Sequence, residues 1–212
     1  MNEIFQRVVS GVDGSDEGAL AARLTSSEGS LTRVSVDGDP LHRLLDEIER
    51  QEATLAAVRG DGHSRAVGIA RGSVATHLLH EAPCSVLVAR EPRDDAEWPR
   101  SIVVGVDGSP QSAAAANVAR ELADRFGAVL RFVAATGDPV DLEAAREIAP
   151  ELEQLPGRAV EELHVASELA DLVVTGSRGL RGIRALGSVS ERVAHEALCS
   201  VLVVRPRREH EA

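Results

Sequence analysis

The chain has 212 residues with no Lys, no Tyr, one Trp and three Phe, and carries a formal net charge of −11 with a pI near 5.1. Without Lys there is no Walker A phosphate loop, no Schiff-base catalysis and no pyridoxal phosphate attachment, and four aromatics do not furnish a stacking platform for single-stranded nucleic acid. The acidic balance repels phosphate backbones and anionic lipid, so neither nucleic acid nor membrane is an expected partner.

Taken in chain order, Met1 to Val9 carries Glu3 and lacks an apolar stretch, so it does not read as a secretory signal. Arg7–Val12 predicts a strand, and Asp16 and Glu17 open a helix after it. Leu31–Val36 predicts a second strand. Asp39-Pro40 then opens a helix whose apolar face is Leu41, Leu44, Leu45 and Ile48. Thr54–Val58 predicts a strand, followed by a glycine-bearing stretch with Gly60, Gly62 and Gly72. Val74, Leu78 and Ala82 mark a helix that stops at Pro83, and Ser85–Ala89 predicts a strand. Glu91–Arg100 holds two Pro and several charges and reads as a linker.

The pattern then starts again. Ile102–Val106 is an apolar run suited to a strand buried on both faces. Ser109-Pro110 is a helix start, a capping hydroxyl followed by a ring with no amide hydrogen to leave unpaired. Val118, Leu122 and Phe126 continue that helix and Gly127 closes it. Val129–Ala134 predicts a strand, and Asp141–Leu155 and Arg158–Leu169 predict helices. Leu172–Thr175 is a strand that runs into Gly176-Ser-Arg-Gly179. Val189, Val193 and Ala197 mark one face of a helix, and Ser200–Val204 is the last strand. No stretch approaches the roughly 18 apolar residues of a membrane span. Two cysteines, Cys84 and Cys199, suit a reducing compartment, so a cytoplasmic location is the expectation.

The restart is an internal repeat. Val9-Ser-Gly-Val-Asp-Gly-Ser15 recurs as Val103-Val-Gly-Val-Asp-Gly-Ser109, an offset of 94. His80-Glu-Ala-Pro-Cys-Ser-Val-Leu-Val-Ala-Arg90 recurs as His195-Glu-Ala-Leu-Cys-Ser-Val-Leu-Val-Val-Arg205, an offset of 115. The first copy is therefore shorter by 21 residues, since 115 − 94 = 21. The expected organisation is a first domain over 1–92, a linker over 93–100 and a second domain over 101–212. Apolar strands alternating with amphipathic helices imply parallel sheets covered on both faces, with ligands sought at the carboxyl ends of the strands.

The opening Gly-Val-Asp-Gly-Ser, the Gly-Ser-Arg-Gly after a strand, the later Gly-Ser-Val-Ser and the closing Cys-Ser-Val-Leu-Val-Val-Arg together resemble the universal stress protein family over nearly the whole chain. The resemblance implies a five-stranded parallel α/β fold and pairing through the last strand. The expected fold class is α/β, two tandem doubly wound domains with mostly parallel sheets. Each copy shows only four strand candidates, so each is expected to lack a strand or a strand-helix unit. Many family members bind ATP through a Gly-x2-Gly-x9-Gly-Ser/Thr signature. In the second copy Gly176 and Gly179 keep the spacing, but seven residues, Leu180–Leu186, separate Gly179 from Gly187. In the first copy the nine-residue gap stands between Gly62 and Gly72, while Arg59 holds the first glycine position.

By this resemblance the candidate cofactor-binding residues are Gly105, Val106, Asp107, Thr175, Gly176, Arg178, Gly179, Gly187, Ser188, Val189 and Ser190, with Mg·ATP as the candidate cofactor. The chemistry suits an anion. A glycine turn lets backbone amides approach phosphates, and the start of a helix adds unpaired amides and a positive dipole end. Each residue also has a plainer reading. Gly176–Gly179 makes a turn, Ser188-x-x-Glu191 is a capping box, and Arg178, Arg181 and Arg184 make a solvated charged face. Cys84 and Cys199 read as small apolar filler. His80 and His195 suit the negative ends of helices, and no metal set accompanies His77 and His80. No nucleophile sits with a base, so no catalytic residue is expected. A phosphate-loop ligase or hydrolase is matched only loosely, by Ser10-Gly-Val-Asp-Gly-Ser15. The two main readings are a nucleotide-sensing regulatory module and a family scaffold that has lost ATP. In both, the two domains pair within one chain, with a homodimer and an unknown protein as further partners.

Overall fold

The computed structural model describes residues 3–12, 17–25, 28–35, 40–60, 74–93, 97–177 and 188–206. A single 3-10 turn, Glu3–Phe5, precedes strand β1 (Arg7–Val12), helix α1 (Glu17–Leu24), β2 (Ser30–Ser35), α2 (Pro40–Arg50), β3 (Leu55–Arg59), α3 (Val74–Glu81) and β4 (Ser85–Ala89). The second copy runs β5 (Ser101–Gly105), α4 (Pro110–Phe126), β6 (Val129–Ala135), α5 (Leu142–Ile148), β7 (Glu153–Leu155), α6 (Ala159–Ser167), β8 (Leu172–Gly176), α7 (Val189–Glu196) and β9 (Ser200–Val204). All nine strands form one sheet in the order β2-β1-β3-β4-β9-β8-β5-β6-β7, and every neighbouring pair is parallel except β4 and β9.

The second copy corrects one expectation. It has five strands, because Glu153–Leu155 leaves the predicted helix over Asp141–Leu155 and pairs as β7 with Val133–Ala135 of β6. Pro150 is the physical reason. It disfavours the helical region for Ala149, and α5 ends at Ile148 with Ala149 extended at ψ 97°. The second copy thus lacks no strand.

The first copy has four strands among the described residues, and the packing shows which unit it lacks. Helix α2 buries Leu44 and Ile48 in the same core as Val160 and Leu163 of α6. It packs on β1, β2 and α3 as α6 packs on β5, β6 and α7. Helix α5 instead puts Ala145 into the core on the opposite face of the sheet, beside α4. The α5–β7 unit is therefore the one without a counterpart, and β2 forms the sheet edge where β6 has β7 outside it.

The central strands β3, β4, β9 and β8 are largely apolar because both faces are covered. Leu172 and Val174 join the core that holds Leu20 and Leu24 of α1 and Leu122 of α4. Val173 joins the core of α2, α3, α6 and α7. Helix α4 starts as its sequence predicts: the Ser109 side chain accepts from the Ser112 amide, Pro110 sits in the first turn, and Gly127 closes the helix at φ 65°.

The two copies meet along β4 and β9. Leu87 pairs with Leu202, and Val86 and Val88 pair with Val203 and Val201. Because Leu202 is the repeat counterpart of Leu87, an approximate two-fold passes through this pair. The flanking bonds obey it. The Arg90 amide donates to Ser200 Oγ at 3.0 Å, and the Arg205 amide donates to Ser85 Oγ at 3.0 Å. The Arg90 guanidinium donates to the carbonyls of Ala194 (2.7 Å), Cys199 (3.0 Å) and His195 (3.2 Å). The Arg205 guanidinium donates to the carbonyls of Leu79 and Ala82.

These are two of a larger set. Arg125 donates to the carbonyls of Arg23, Leu24 and Thr25 at the end of α1, and Arg7 Nε to that of Glu52 just beyond α2. Arg120 donates to Ile148 O at the end of α5, and Arg93 to Ser167 O and Ala170 O at the end of α6. Six helices thus end on a guanidinium from elsewhere in the chain. The last carbonyls of a helix lack partners and carry the negative dipole end, and a planar guanidinium can bridge more than one of them. The segment between the copies is held down on the second one. Trp98 is buried and its Nε1 donates to Asp171 O at 3.1 Å.

Candidate functional site

The carboxyl ends of β5 and β8 lie side by side in the second copy, and the strand order reverses between them, with β6 beyond β5 and β9 beyond β8. Such a reversal leaves a crevice where α/β sheets take ligands. Val103 pairs with Val173 and Val104 with Val174, so Gly105, Val106 and Asp107 end their strand beside Thr175 and Gly176. Gly105 lies against Leu163 of α6, and the Val106 amide donates to Val133 O at 2.9 Å.

Asp107 is exposed, yet its Oδ1 is engaged. It accepts from the Ser109 amide at 3.0 Å and from Ser109 Oγ at 2.5 Å. Burial of part of the carboxyl works to raise its pKa, but the Ser109 hydroxyl and amide outweigh that and hold it below the usual 3.8. Ser109 Oγ therefore does two jobs: it donates to Asp107 and accepts from the Ser112 amide, capping α4. The Asp-x-Ser spacing ahead of Pro110 carries this arrangement in the sequence. Gly108 follows at φ 85°, and a Cβ there would stand 2.5 Å from Asp141 O, so only glycine serves.

Gly176 is likewise committed to packing. A Cβ on it would meet Gln111 O at 2.4 Å and the Ser112 amide nitrogen at 2.9 Å, because the first turn of α4 rests on the end of β8. Thr175 beside it is 5 % exposed, and its Oγ1 has no hydrogen-bond partner among the described residues. The start of α7 lies at the same carboxyl end of the sheet, because the helix runs back from β8 to the parallel β9. Ser188 is extended at ψ 153°, and its hydroxyl accepts from the Glu191 amide at 3.3 Å. Ser190 is buried with its hydroxyl 3.3 Å from that of Ser188, and Val189 is exposed at the same helix end. Arg178, Gly179 and Gly187 lie outside the described residues, as do Asp13, Gly62, His63, Gly72, Arg181 and Arg184.

In the first copy Arg59 pairs with Ala89 as Gly176 pairs with Val204, so a long cationic side chain stands where the second copy has glycine. Arg59 Nη2 lies 3.9 Å from Glu91 Oε1. The same register sets Val58 in the place of Thr175.

Other candidates fall elsewhere. Cys84 and Cys199 are free and buried at the feet of β4 and β9, and burial pushes both thiols up to about 12. His80 Nε2 sits 3.1 Å from Glu191 Oε1 across the seam, while its counterpart His195 meets Thr76 Oγ1 at 3.2 Å. This cross-copy pairing was not read from the sequence, although the repeat aligns Thr76 with Glu191. A groove of about 550 Å³ lined by Arg120, Ala123, Asp124, Gly127, Ala128 and Leu130 opens at the amino end of β6, away from the crevice. Among the described residues no cluster of His, Cys, Asp or Glu could hold a metal ion, and no helix is long and apolar enough to cross a membrane.

Comparison with known proteins bears on the same residues. The family model described as universal stress protein family matches residues 17–90, 99–166 and 140–205. A universal stress protein of Mycobacterium bovis is 32% identical over 186 residues, covering 73% of this chain and 62% of its own length. One of Mycobacterium tuberculosis is 30% identical over 219 residues, covering 85% of this chain and 68% of its own. The chain thus spans about three-fifths to two-thirds of the length of these relatives. The crystal structure of a universal stress protein from Archaeoglobus fulgidus superposes with a TM-score of 0.73 at 17% identity, covering 96% of this chain and 98% of that one. At that identity the likeness speaks to the fold.

Proposed function

The chain belongs to the universal stress protein family, and on that footing we propose that it is a regulatory module that takes Mg·ATP in its second copy and acts through self-association or a protein partner, not by catalysis. The observation that carries this reading is the difference between the copies. The second ends β8 in Gly176 and opens the next helix, α7, on a serine cap, and the first places Arg59 at the Gly176 position. The second copy also offers groups suited to the ligand. Asp107 and Thr175 flank the crevice for the nucleoside end, and the amides and hydroxyls of Ser188, Val189 and Ser190 face an anion with the positive end of a helix. ATP would supply a charged, exchangeable ligand that reports cellular energy state. Gly179 and Gly187 complete the motif by spacing.

A second reading has its own observation. Asp107 is engaged by Ser109 and Gly176 is required by α4, so the fold alone accounts for both residues. On that reading the chain is a scaffold kept for its surfaces. Titration calorimetry of the whole chain with Mg·ATP and Mg·ADP separates the two. One saturable site per chain, lost in Gly179→Asp with the fold retained, supports the nucleotide reading. No heat, and no shift in melting temperature at millimolar ATP, overturns it in favour of the scaffold.

A further inference from the structure

We infer that the open sheet edge of the first copy, β2, takes the opposite sheet edge, β7, of a second copy of this chain, so that chains join head to tail. This gives the self-association proposed above a surface, and it stands whether or not nucleotide binds. Among the described residues β2 has a neighbour on one side, β1, because the α5–β7 unit has no counterpart in the first copy. The Ser30 amide donates to Gln6 O on the β1 side at 2.7 Å. Alternate residues of a parallel strand turn the other way, so Leu31, Arg33 and Ser35 hold their N–H and C=O groups towards the open side. The second copy shows that this kind of edge accepts a strand, since Val133–Ala135 of β6 pair there with β7.

The side chains of β2 differ from those of a covered strand. Arg7 and Ser101 are equivalent by the offset of 94, and they pair with Ser30 and Val129. Arg33 therefore stands where the second copy has Phe132, which is buried with the Arg120 guanidinium 4.7 Å from its ring centroid. Arg33 is exposed, as are Arg23 on α1 and Arg43 on α2, the helices that pack on β2. These three guanidinia form no hydrogen bond or ion pair among the described residues, in contrast to the arginines that close helices elsewhere. The carboxylates nearby in sequence, Glu28, Asp37 and Asp39, lie beyond the two ends of the strand. The far end of the sheet has the opposite sign. The α5–β7 unit exposes Glu143, Glu147, Glu151 and Glu153 against one cation, Arg146, and Arg131 of β6 pairs with Glu153. Setting β2 on β2 opposes arginines, and setting β7 on β7 opposes carboxylates. Setting β2 on β7 is the pairing in which the charges attract. The two edges are different patches, so the contact is heterologous and leaves one edge of each kind open at the ends of the assembly. Because β7 is three residues long, few ladder bonds form and the association is weak.

The test is sedimentation velocity of the whole chain without nucleotide, over roughly 10 to 500 µM, the range suited to a small interface. The expected result is a weight-average sedimentation coefficient that rises with concentration. Arg33→Glu and Glu151→Arg should each weaken the association roughly five- to tenfold, with melting temperatures near wild type. An equimolar mixture of R33E and E151R should recover the wild-type rise, because each reversed edge then meets its complement on the other variant. A wild-type chain that stays monomeric throughout overturns the inference. Binding of a fluorescent peptide of alternating Glu and Val to that monomer, lost in R33E, would give the edge to a partner protein instead. Association unchanged in both variants, or lost in one and kept in the other, places the contact elsewhere and also overturns it. So does a mixture no more associated than either variant alone. None of these outcomes alters the calorimetric test of nucleotide binding.

Discussion

The seam between the copies should fail if one guanidinium is removed. Arg90 is 9% exposed and donates to the carbonyls of Ala194 and His195 in the last turn of α7 and of Cys199 just before β9, all in the other copy. Arg90→Met keeps the stem and deletes the donors. The two shorter bonds, at 2.7 and 3.0 Å, involve a charged donor and are each worth about 1.5–3 kcal/mol. Loss of the charge at the dipole end adds about 0.3–1 kcal/mol. Water entering beside the shorter side chain restores part of this, so the expected cost is about 3–4 kcal/mol, a large share of a typical 5–15. Urea unfolding is the assay, followed by far-UV circular dichroism for the whole chain and by fluorescence of Trp98, the sole tryptophan, for the second copy. In wild type the two transitions should coincide. In R90M the dichroism and fluorescence transitions separate as the copies uncouple. Arg90→Lys should recover less than half of the loss, because an ammonium cannot fork across spaced carbonyls. A cost under about 1 kcal/mol, or coincident transitions in R90M, would refute the reasoning.

Further expectations follow from the same structure. Ser10 is fully buried in β1 with no partner for its hydroxyl among the described residues, where the second copy has Val104, so Ser10→Ala should stabilise the chain by about 1 kcal/mol in urea titration. Gly108→Ala should destabilise by about 1–3 kcal/mol, from its φ of 85° and the close Asp141 carbonyl, read as a lowered urea midpoint. Ser109→Ala should return the Asp107 pKa towards 3.8 in an NMR titration. In wild type the Asp107 contribution is present above the unfolded value near 3.8 and is lost as pH falls through the lower folded value. With thiols held near 12, Cys84 and Cys199 should resist a thiol reagent at pH 8 in the native state and both react in denaturant; rapid native labelling would contradict their burial.

Much of the fold was legible because repetition and apolar periodicity are local signals. The strand over Arg7–Val12, the α4 cap at Ser109-Pro110 and the apolar face of α2 appear where their residues predict. Strand β7 was missed because Glu153-Gln-Leu155 is short and polar and pairs on one edge only. The Pro150 that frees it from α5 stood in the sequence as a signal. The site was legible as a set of positions but not in its wiring. That Gly176 makes room for α4, that Ser109 ties Asp107 to a helix cap, and that arginines terminate helices far away in sequence are contacts between distant segments, which no local pattern encodes.

The approximate two-fold at Leu87 and Leu202 has an evolutionary consequence. In a symmetric homodimer every substitution is made twice, so a residue that improves one side must be tolerated on the other. Joining the two copies in one chain removes that rule. The seam itself stays symmetric at Arg90 and Arg205 and at Ser85 and Ser200, where both sides are still needed. Away from the strands it has drifted, with Glu191 facing His80 and Thr76 facing His195. Fusion thus gives each half freedom to specialise: one can shed a strand and a glycine while still completing the sheet on which the other depends.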